Sequence, residues 1–452
     1  MSETDLRAAG TEAASRRPRR ALFFYGALPA LNALNAAVGL LLPLLLDPVE
    51  FGRYAIVVTL FQYGLIFDIG LSQLTDRRVP ALIARDRRRE LDEFTQAVLW
   101  TRLYVAAATL LGGGAALAAM EARGALPFTL GAGLLSLAAG LCFMLALGPA
   151  SFHRAASNRR VFGRISIISG LVLALARPAG VLAGGITGCF ALLALGYGGL
   201  ALAVQARMRP LRAARPGARQ AGRLLLQGLP LFLASFVWAF YMTANRWVVS
   251  LLAPEEELGH FAFGCNVVTL LVGAVGALSQ FYYPGVVARA AAGGDFSVSR
   301  RVGREFAAMA AALAAPCAAG ILLGPVLVGL LYPKFADSVP AMRLLLVSVP
   351  GLCVAAWLMP IALSTAARPW AEGLFVYPVG LAVLLVVTWV GYGRGGITGA
   401  AYGAAVSAVP LLALQLGALR AARVLLWRDT AAIFAAAVGA GALLWLLAAA
   451  AA

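Results

Sequence analysis

The sequence predicts an all-α polytopic membrane protein with about 12–13 transmembrane helices arranged as two parallel six-helix repeats. Three observations predict it: an apolar content too high for a soluble protein, arginines concentrated in every second loop, and short motifs that recur at an offset near 207 residues. Of 452 residues, 61% are hydrophobic and a further 49 are glycine. Soluble domains hold about 45–50% apolar residues with glycine included. Charged residues make up 13%, and the mean hydropathy is +0.84. A globular protein has too little interior to hide so much apolar side chain from water. A soluble enzyme, a disordered chain and a secreted disulfide scaffold are all excluded.

A run of about 18–20 apolar residues spans the hydrocarbon core of a bilayer. Thirteen segments meet or approach that length: 22–46, 53–75, 95–119, 126–151, 165–184, 186–206, 224–252, 260–284, 305–331, 341–366, 371–391, 396–418 and 430–452. The first is too long for a signal peptide and no cleavage site ends it. Residues 1–21 form a tail, 22–206 an N-lobe of six spans, 207–223 a basic linker and 224–418 a C-lobe of six more. Residues 419–452 hold the alanine-rich last segment, a possible thirteenth span. The tail and the even-numbered loops carry 29 of the 37 basic residues, for example Arg77 to Arg89, Arg154 to Arg164 and Arg207 to Arg223. Cytoplasmic loops hold the excess of basic residues, so the N-terminus is expected in the cytoplasm.

A net charge of +17 raises nucleic acid as a partner. The charge sits in short loops between apolar runs, with no interleaved aromatics, zinc-ligand sets or phosphate loops, so no nucleic-acid partner is expected. Cys142, Cys189, Cys265, Cys317 and Cys353 lie inside apolar runs and read as small buried hydrophobes. There is no nucleophile–base pair, carboxylate dyad, metal cluster or cofactor motif. Neither an enzyme nor a bound cofactor is expected.

The chain repeats itself. Glu-Phe-Gly-Arg-Tyr-Ala at 50–55 returns as Glu-Leu-Gly-His-Phe-Ala at 257–262, and Leu71-Ser72-Gln73 returns as Leu278-Ser279-Gln280. Pro80 and Ala84-Arg85 return as Pro284 and Ala288-Arg289, and Gly184-Gly185-Ile186-Thr187-Gly188 returns as Gly395 to Gly399. The unit is six helices, an even number, so both copies enter from the same side. Such parallel repeats are related by an axis along the membrane normal and place a substrate path between two lobes.

Two of these stretches carry a resemblance. The turn Pro-x-Glu-Phe-Gly-x-Tyr runs from Pro48 to Tyr54, and the second helix ends in Asp-Ile-Gly-Leu-Ser-Gln, Asp68 to Gln73, before a basic loop. This resembles the polysaccharide-export branch of the multidrug/oligosaccharidyl-lipid/polysaccharide (MOP) superfamily, which includes the O-antigen (Wzx-type) translocases. The resemblance covers about residues 20–420. It implies two MATE-like bundles forming a V around a central cavity in a bacterial inner membrane. It also implies movement of undecaprenyl-pyrophosphate-linked oligosaccharide to the periplasmic leaflet, with polysaccharide polymerases or glycosyltransferases as possible partners. Many relatives have an Asp-Arg pair late in the seventh helix; this chain has Asn245-Arg246 there.

An ionisable residue inside a span is costly and marks a candidate site. Asp68 reads either as a gate or cation site, or as a helix cap paired with Arg77 or Arg78. Arg246 offers a planar donor fork for phosphate oxygens, or snorkels to the interface. Arg177 and Arg102 are expected as interfacial residues. Asn32 and Asn35 share a helix face, as do Tyr241 and Asn245. With Gln62, Tyr63, Asn266 and Gln280 they mark helices one, two, seven and eight, the equivalent helices of the two repeats. The set suits the lining of a cavity for a sugar–pyrophosphate headgroup. The other reading is interhelical hydrogen bonding, worth about 0.6–2 kcal/mol per bond. Two further functions stay open: a cation-coupled small-molecule exporter, which needs titratable carboxylates in its cavity, and a non-transporting subunit of a synthase complex.

Overall fold

In a bilayer every backbone amide needs a partner within its own segment, so apolar segments fold as helices. The computed structural model describes residue 31 and residues 34–156, 158–208, 216–291, 300–365, 372–421, 425 and 427–451. Side chains are described there except at 159, 207–208, 276–291, 300–305, 360–365 and 372–373. In chain order the helices are α1 (Leu34–Leu45), α2 (Pro48–Ile66), α3 (Leu71–Ala84), α4 (Arg88–Ala122), α5 (Leu130–Ala155), α6 (Arg159–Met208), α7 (Ala218–Leu252), α8 (Glu255–Ala291), α9 (Arg300–Leu331), α10 (Val339–Val347), α11 (Val349–Thr365), α12 (Tyr377–Ala421) and α13 (Trp427–Ala450). Among the described residues nine helical stretches are long and apolar enough to cross a membrane, or ten with a bent pair at Pro333–Met359 counted as one span. The chain is a multi-pass, all-helical membrane protein.

The Gly-Gly motifs are turns. In α6, Gly184 and Gly185 leave helical geometry at φ −169°, ψ 33° and φ 59°, ψ −146°. In α12, Gly395 and Gly396 do so at φ −157°, ψ 30° and φ 56°, ψ −143°. The positive-φ position is open to glycine and strained for any residue with a Cβ. Each helix folds back on itself there. The arms touch at Gly180 and Gly188 in α6, and at the equivalent Gly391 and Gly399 in α12. Further along the arms, the Tyr197 hydroxyl donates to the Ser169 carbonyl (3.1 Å), and Gln415 donates to the Tyr377 hydroxyl (3.0 Å). The duplicated motif thus builds the same hairpin twice.

The second apolar segment corrects one expectation. A continuous helix over 53–75 is expected from hydropathy; the helix instead runs as α2, breaks over residues 67–70, and resumes as α3. Ile69 (φ 47°) and Gly70 (φ 73°) both take left-handed conformations. A β-branched residue in that region is an outlier that its surroundings must hold.

Contacts divide the described chain into two compact units. The first holds the residues up to Val38 together with Val57–Phe236; the second holds Gly39–Ile56 together with Val237–Ala452. In the first unit, α5 packs on α3, α4 and the α6 hairpin. Gly64 and Gly140 bring α2 and α5 to backbone contact, and Ser136 Oγ donates to the Val57 carbonyl (2.6 Å). Phe143 and Tyr197 stack at 4.2 Å. In the second unit, α8 packs on α11, α10 on α12, and α13 mainly on α9. Ile433 and Ala437 of α13 join Phe306, Val354, Leu358 and Leu412 in one buried cluster.

Candidate functional site

The first unit buries a charge network at the α2–α3 break. Asp68 has no helical turn beneath it, so its carboxylate serves as the missing acceptor. Oδ1 accepts the Gly70 N–H (3.0 Å) and Oδ2 accepts the Ser72 N–H (2.8 Å), capping α3 as side-chain oxygens cap helix starts. Arg102 Nη2 lies 3.5 Å from Oδ2, and the two side chains are 1% and 8% exposed. The same guanidinium donates to Ser72 Oγ (2.9 Å) and Ser151 Oγ (3.4 Å). Gly148 makes room: a Cβ there would lie 2.5 Å from Arg102 Nη1. A second pair sits beside it, with Arg154 bonded through two nitrogens to Asp76 at 2.6 and 3.2 Å. Asp68, buried, and Asp76, half-buried, are therefore both engaged.

The break abuts α7 within this unit. A Cβ on Gly70 would strike the Gly228 carbonyl, and one on Gly228 would strike the Ile69 carbonyl. Gln73 Nε2 donates to Ser235 Oγ (3.3 Å). Phe67 meets Phe232 and Phe236 edge to face at 5.2 and 5.6 Å, and the Tyr63 ring lies 5.8 Å from Phe236. Gln62 is half-buried one position before Tyr63.

The second unit holds a contrasting cluster on α7 and α8. Tyr241 and Asn245 lie one turn apart on α7, as their spacing predicts. The Tyr241 hydroxyl bonds Ser407 Oγ (2.8 Å). Asn245 Oδ1 accepts the Arg246 N–H (2.8 Å) while its Nδ2 faces Cys265 Sγ (3.5 Å). Arg246 is 4% exposed. Its Nη2 donates to Thr269 Oγ1 (2.9 Å), and its Nε has no hydrogen-bond partner among the described residues. Among the described residues no carboxylate pairs with it. Tyr241, Asn245, Cys265, Thr269 and Ser348 border a cavity of about 30 Å³, room for about one water. One turn earlier on α8, Asn266 Nδ2 donates to the Gly39 carbonyl (3.0 Å).

The expected set thus falls in two places. Asp68, Gln62 and Tyr63 belong to the first unit, and Tyr241, Asn245, Arg246 and Asn266 to the second. Asn35 is half-buried in the first unit, with its Oδ1 unbonded among the described residues. Asn32 lies outside the described residues, and Gln280 outside those with described side chains. Two readings are corrected. Asp68 pairs with Arg102, not with Arg77 or Arg78, and Arg102 is a buried clamp, not an interfacial anchor. Sequence reasoning missed Ser72, Ser151 and Gly148 as its partners. The available signal was the small-residue spacing Gly148-x-x-Ser151, which opens space on one helix face.

Length, helix content and duplicated hairpins define a class: polytopic helical membrane proteins built from two repeats. Within it the fold is MATE-like. No family model matches the sequence, and no curated protein does. Solved structures do match. An Asp-to-Asn mutant of the Vibrio cholerae MATE transporter VcmN superposes with TM-score 0.64 at 15% identity, covering 89% of this chain and 94% of its own. An inward-facing multidrug resistance MATE family transporter of the MOP superfamily gives 0.66 at 14%, covering 90% and 94%. The lipid II flippase MurJ, in an inward closed conformation, gives 0.67 at 10%, covering 94% and 92%. At such identities the likeness is one of fold.

Proposed function

We propose that the protein is a transporter that moves an undecaprenyl-pyrophosphate-linked oligosaccharide across the bacterial inner membrane by alternating access, with its N-terminus in the cytoplasm. The observation that carries this reading is Arg246, buried on α7 with one hydroxyl partner and no carboxylate among the described residues. Burying an uncompensated charge costs several kcal/mol, and an anionic headgroup supplies the missing partner. Arginine's fork suits phosphate oxygens. Asn245, next to it in the chain, offers an amide for a glycan. The solved flippase and transporters of the same fold support the general class.

A cation-coupled exporter is the second reading, and the MATE-like fold favours it. It needs a carboxylate free to exchange partners. Asp68 and Asp76 are held by Arg102 and Arg154, whereas Asp429 of α13, 8% exposed, keeps one carboxylate oxygen unbonded among the described residues.

The test uses cells that lack the protein. Lipid-linked oligosaccharide should accumulate on the cytoplasmic leaflet, and wild type but not Arg246→Ala should clear it. Normal pools with raised sensitivity to toxic cations would move the assignment to the exporter.

A further inference from the structure

We propose that the basic end of α6 is a binding site for an anionic phospholipid, with Arg160 and Arg164 on its phosphate and the apolar strip that continues from them along an acyl chain. The strip follows from helical spacing. Arg160, Arg164, Ile168, Leu171 and Leu175 recur every three or four residues, so they share one face of the first arm of the hairpin. All five are exposed, Ile168, Leu171 and Leu175 by 47%, 41% and 66%. Ile165 and Ser169, which point away from that face, are buried. Arg164 and the turn at Gly184 are 20 positions apart, about 30 Å of helix at a rise of about 1.5 Å per residue. That is about the thickness of the hydrocarbon core. The exposed apolar side chains therefore face lipid tails, and the two guanidiniums stand at the level of the headgroups at one end.

The charge of this pair is not spent inside the protein. The 50 residues of α6 include no Asp or Glu, and among the described residues neither Arg160 nor Arg164 makes an ion pair. Other exposed arginines differ. Arg87, Arg88 and Arg89 pair with Glu90, Asp86 and Glu93 at 3.2, 3.1 and 3.0 Å. A guanidinium fork fits phosphate oxygens, and basic residues beside a span attract anionic lipid. The duplicated hairpin supplies an internal control. At the offset of 211 that relates Gly184 to Gly395, Ile168, Leu171 and Leu175 correspond to Val379, Ala382 and Val386 of α12. All three are exposed, so the lipid-facing strip is repeated. The arginines are not. Arg164 corresponds to Phe375, 72% exposed in the π-helical turn Glu372–Val376 that leads into α12, and Arg160 corresponds to Ala371. Facing lipid tails requires apolar side chains only, and both copies have them. The arginine pair on one copy adds a ligand for a charged headgroup.

This inference does not depend on what the protein transports. The test places the full chain in phosphatidylcholine vesicles with a small fraction of phosphatidylglycerol carrying a photoactivatable group on one acyl chain, and maps the cross-links by peptide mass spectrometry. Labelling should favour the Ile168–Leu175 strip of α6 over the Val379–Val386 strip of α12. An attraction of the usual strength for a juxtamembrane basic residue gives about fivefold per arginine, so a ratio of about 5- to 30-fold. Photoactivatable phosphatidylcholine should label the two strips about equally. Arg160→Ala and Arg164→Ala combined should bring the phosphatidylglycerol ratio down to the phosphatidylcholine value, and Phe375→Arg should raise labelling of α12. Both arginines are exposed, so their loss leaves the buried packing of α6 intact. Equal labelling of the two strips by phosphatidylglycerol overturns the site, and so does an excess on α6 that survives the double substitution. An excess on α6 with photoactivatable undecaprenyl phosphate but none with phosphatidylglycerol overturns the phospholipid assignment and makes this face a dock for a polyprenyl lipid.

Discussion

Arg102 and Arg246 are both buried arginines inside apolar helices, and they are not alike. Arg102 in the first unit has a carboxylate 3.5 Å away and two serine hydroxyls. Arg246 in the second unit bonds one threonine hydroxyl, and among the described residues no carboxylate pairs with it. A guanidinium with its counter-charge in place can hold a fold together. One lacking it is, on the proposed function, free to take an anionic headgroup. On the same reading, Asp68 and Arg102 serve the structure and Arg246 serves recognition.

The largest effect should come from breaking the completed pair. Arg102→Ala leaves Asp68 buried with its charge unmatched and frees the strained Ile69–Gly70 turn. Removing one partner of a buried pair costs about 3–5 kcal/mol, read as a lower midpoint of denaturation in detergent. Asp68→Asn in the same background should cost much less than it does alone, because the charge it would leave unmatched is already gone.

Arg246→Ala should do the reverse. Stability should be unchanged or raised, since an uncompensated buried charge is removed. Hydrogen bonds to charged groups are worth about 1.5–3 kcal/mol, so vesicle transport should fall about 10- to 100-fold. Asn245→Asp sharpens the comparison by giving Arg246 the carboxylate that Arg102 already has. Transport should fall about tenfold or less, with no loss of thermal stability, as the internal carboxylate competes with the substrate anion. The smallest effect belongs to Tyr241→Phe. It removes one interhelical hydrogen bond, worth about 0.6 kcal/mol on average in membrane proteins, and should leave the transport rate within about twofold of wild type.

Hydropathy made most of the helices legible because it is a local property of the chain, and the Gly-Gly motifs read as repeats turn out to be the hairpin turns. The α2–α3 break was not legible. It depends on a carboxylate of Asp68 that turns back to cap Ser72 and is held by Arg102, 34 positions further on. Hydropathy carries no trace of such a tertiary cap, so the segment read as continuous. Arg102 was misread for the same reason: its partners lie on three other stretches of chain. Tyr241 and Asn245 were legible as one face because helical spacing alone places them together. Their split from Gln62, Tyr63 and Asp68 into another unit follows from packing, which spacing does not encode.

The most direct test reconstitutes the purified chain in vesicles carrying a defined undecaprenyl-pyrophosphate oligosaccharide on one leaflet. Its transfer to the other leaflet is then followed for wild type, Arg246→Ala and Asn245→Asp. The account predicts transfer by wild type, a loss in both variants, and no loss of thermal stability in either. Equal transfer by all three would contradict a role for Arg246 in binding the headgroup. No transfer by a folded wild type would contradict the flippase itself.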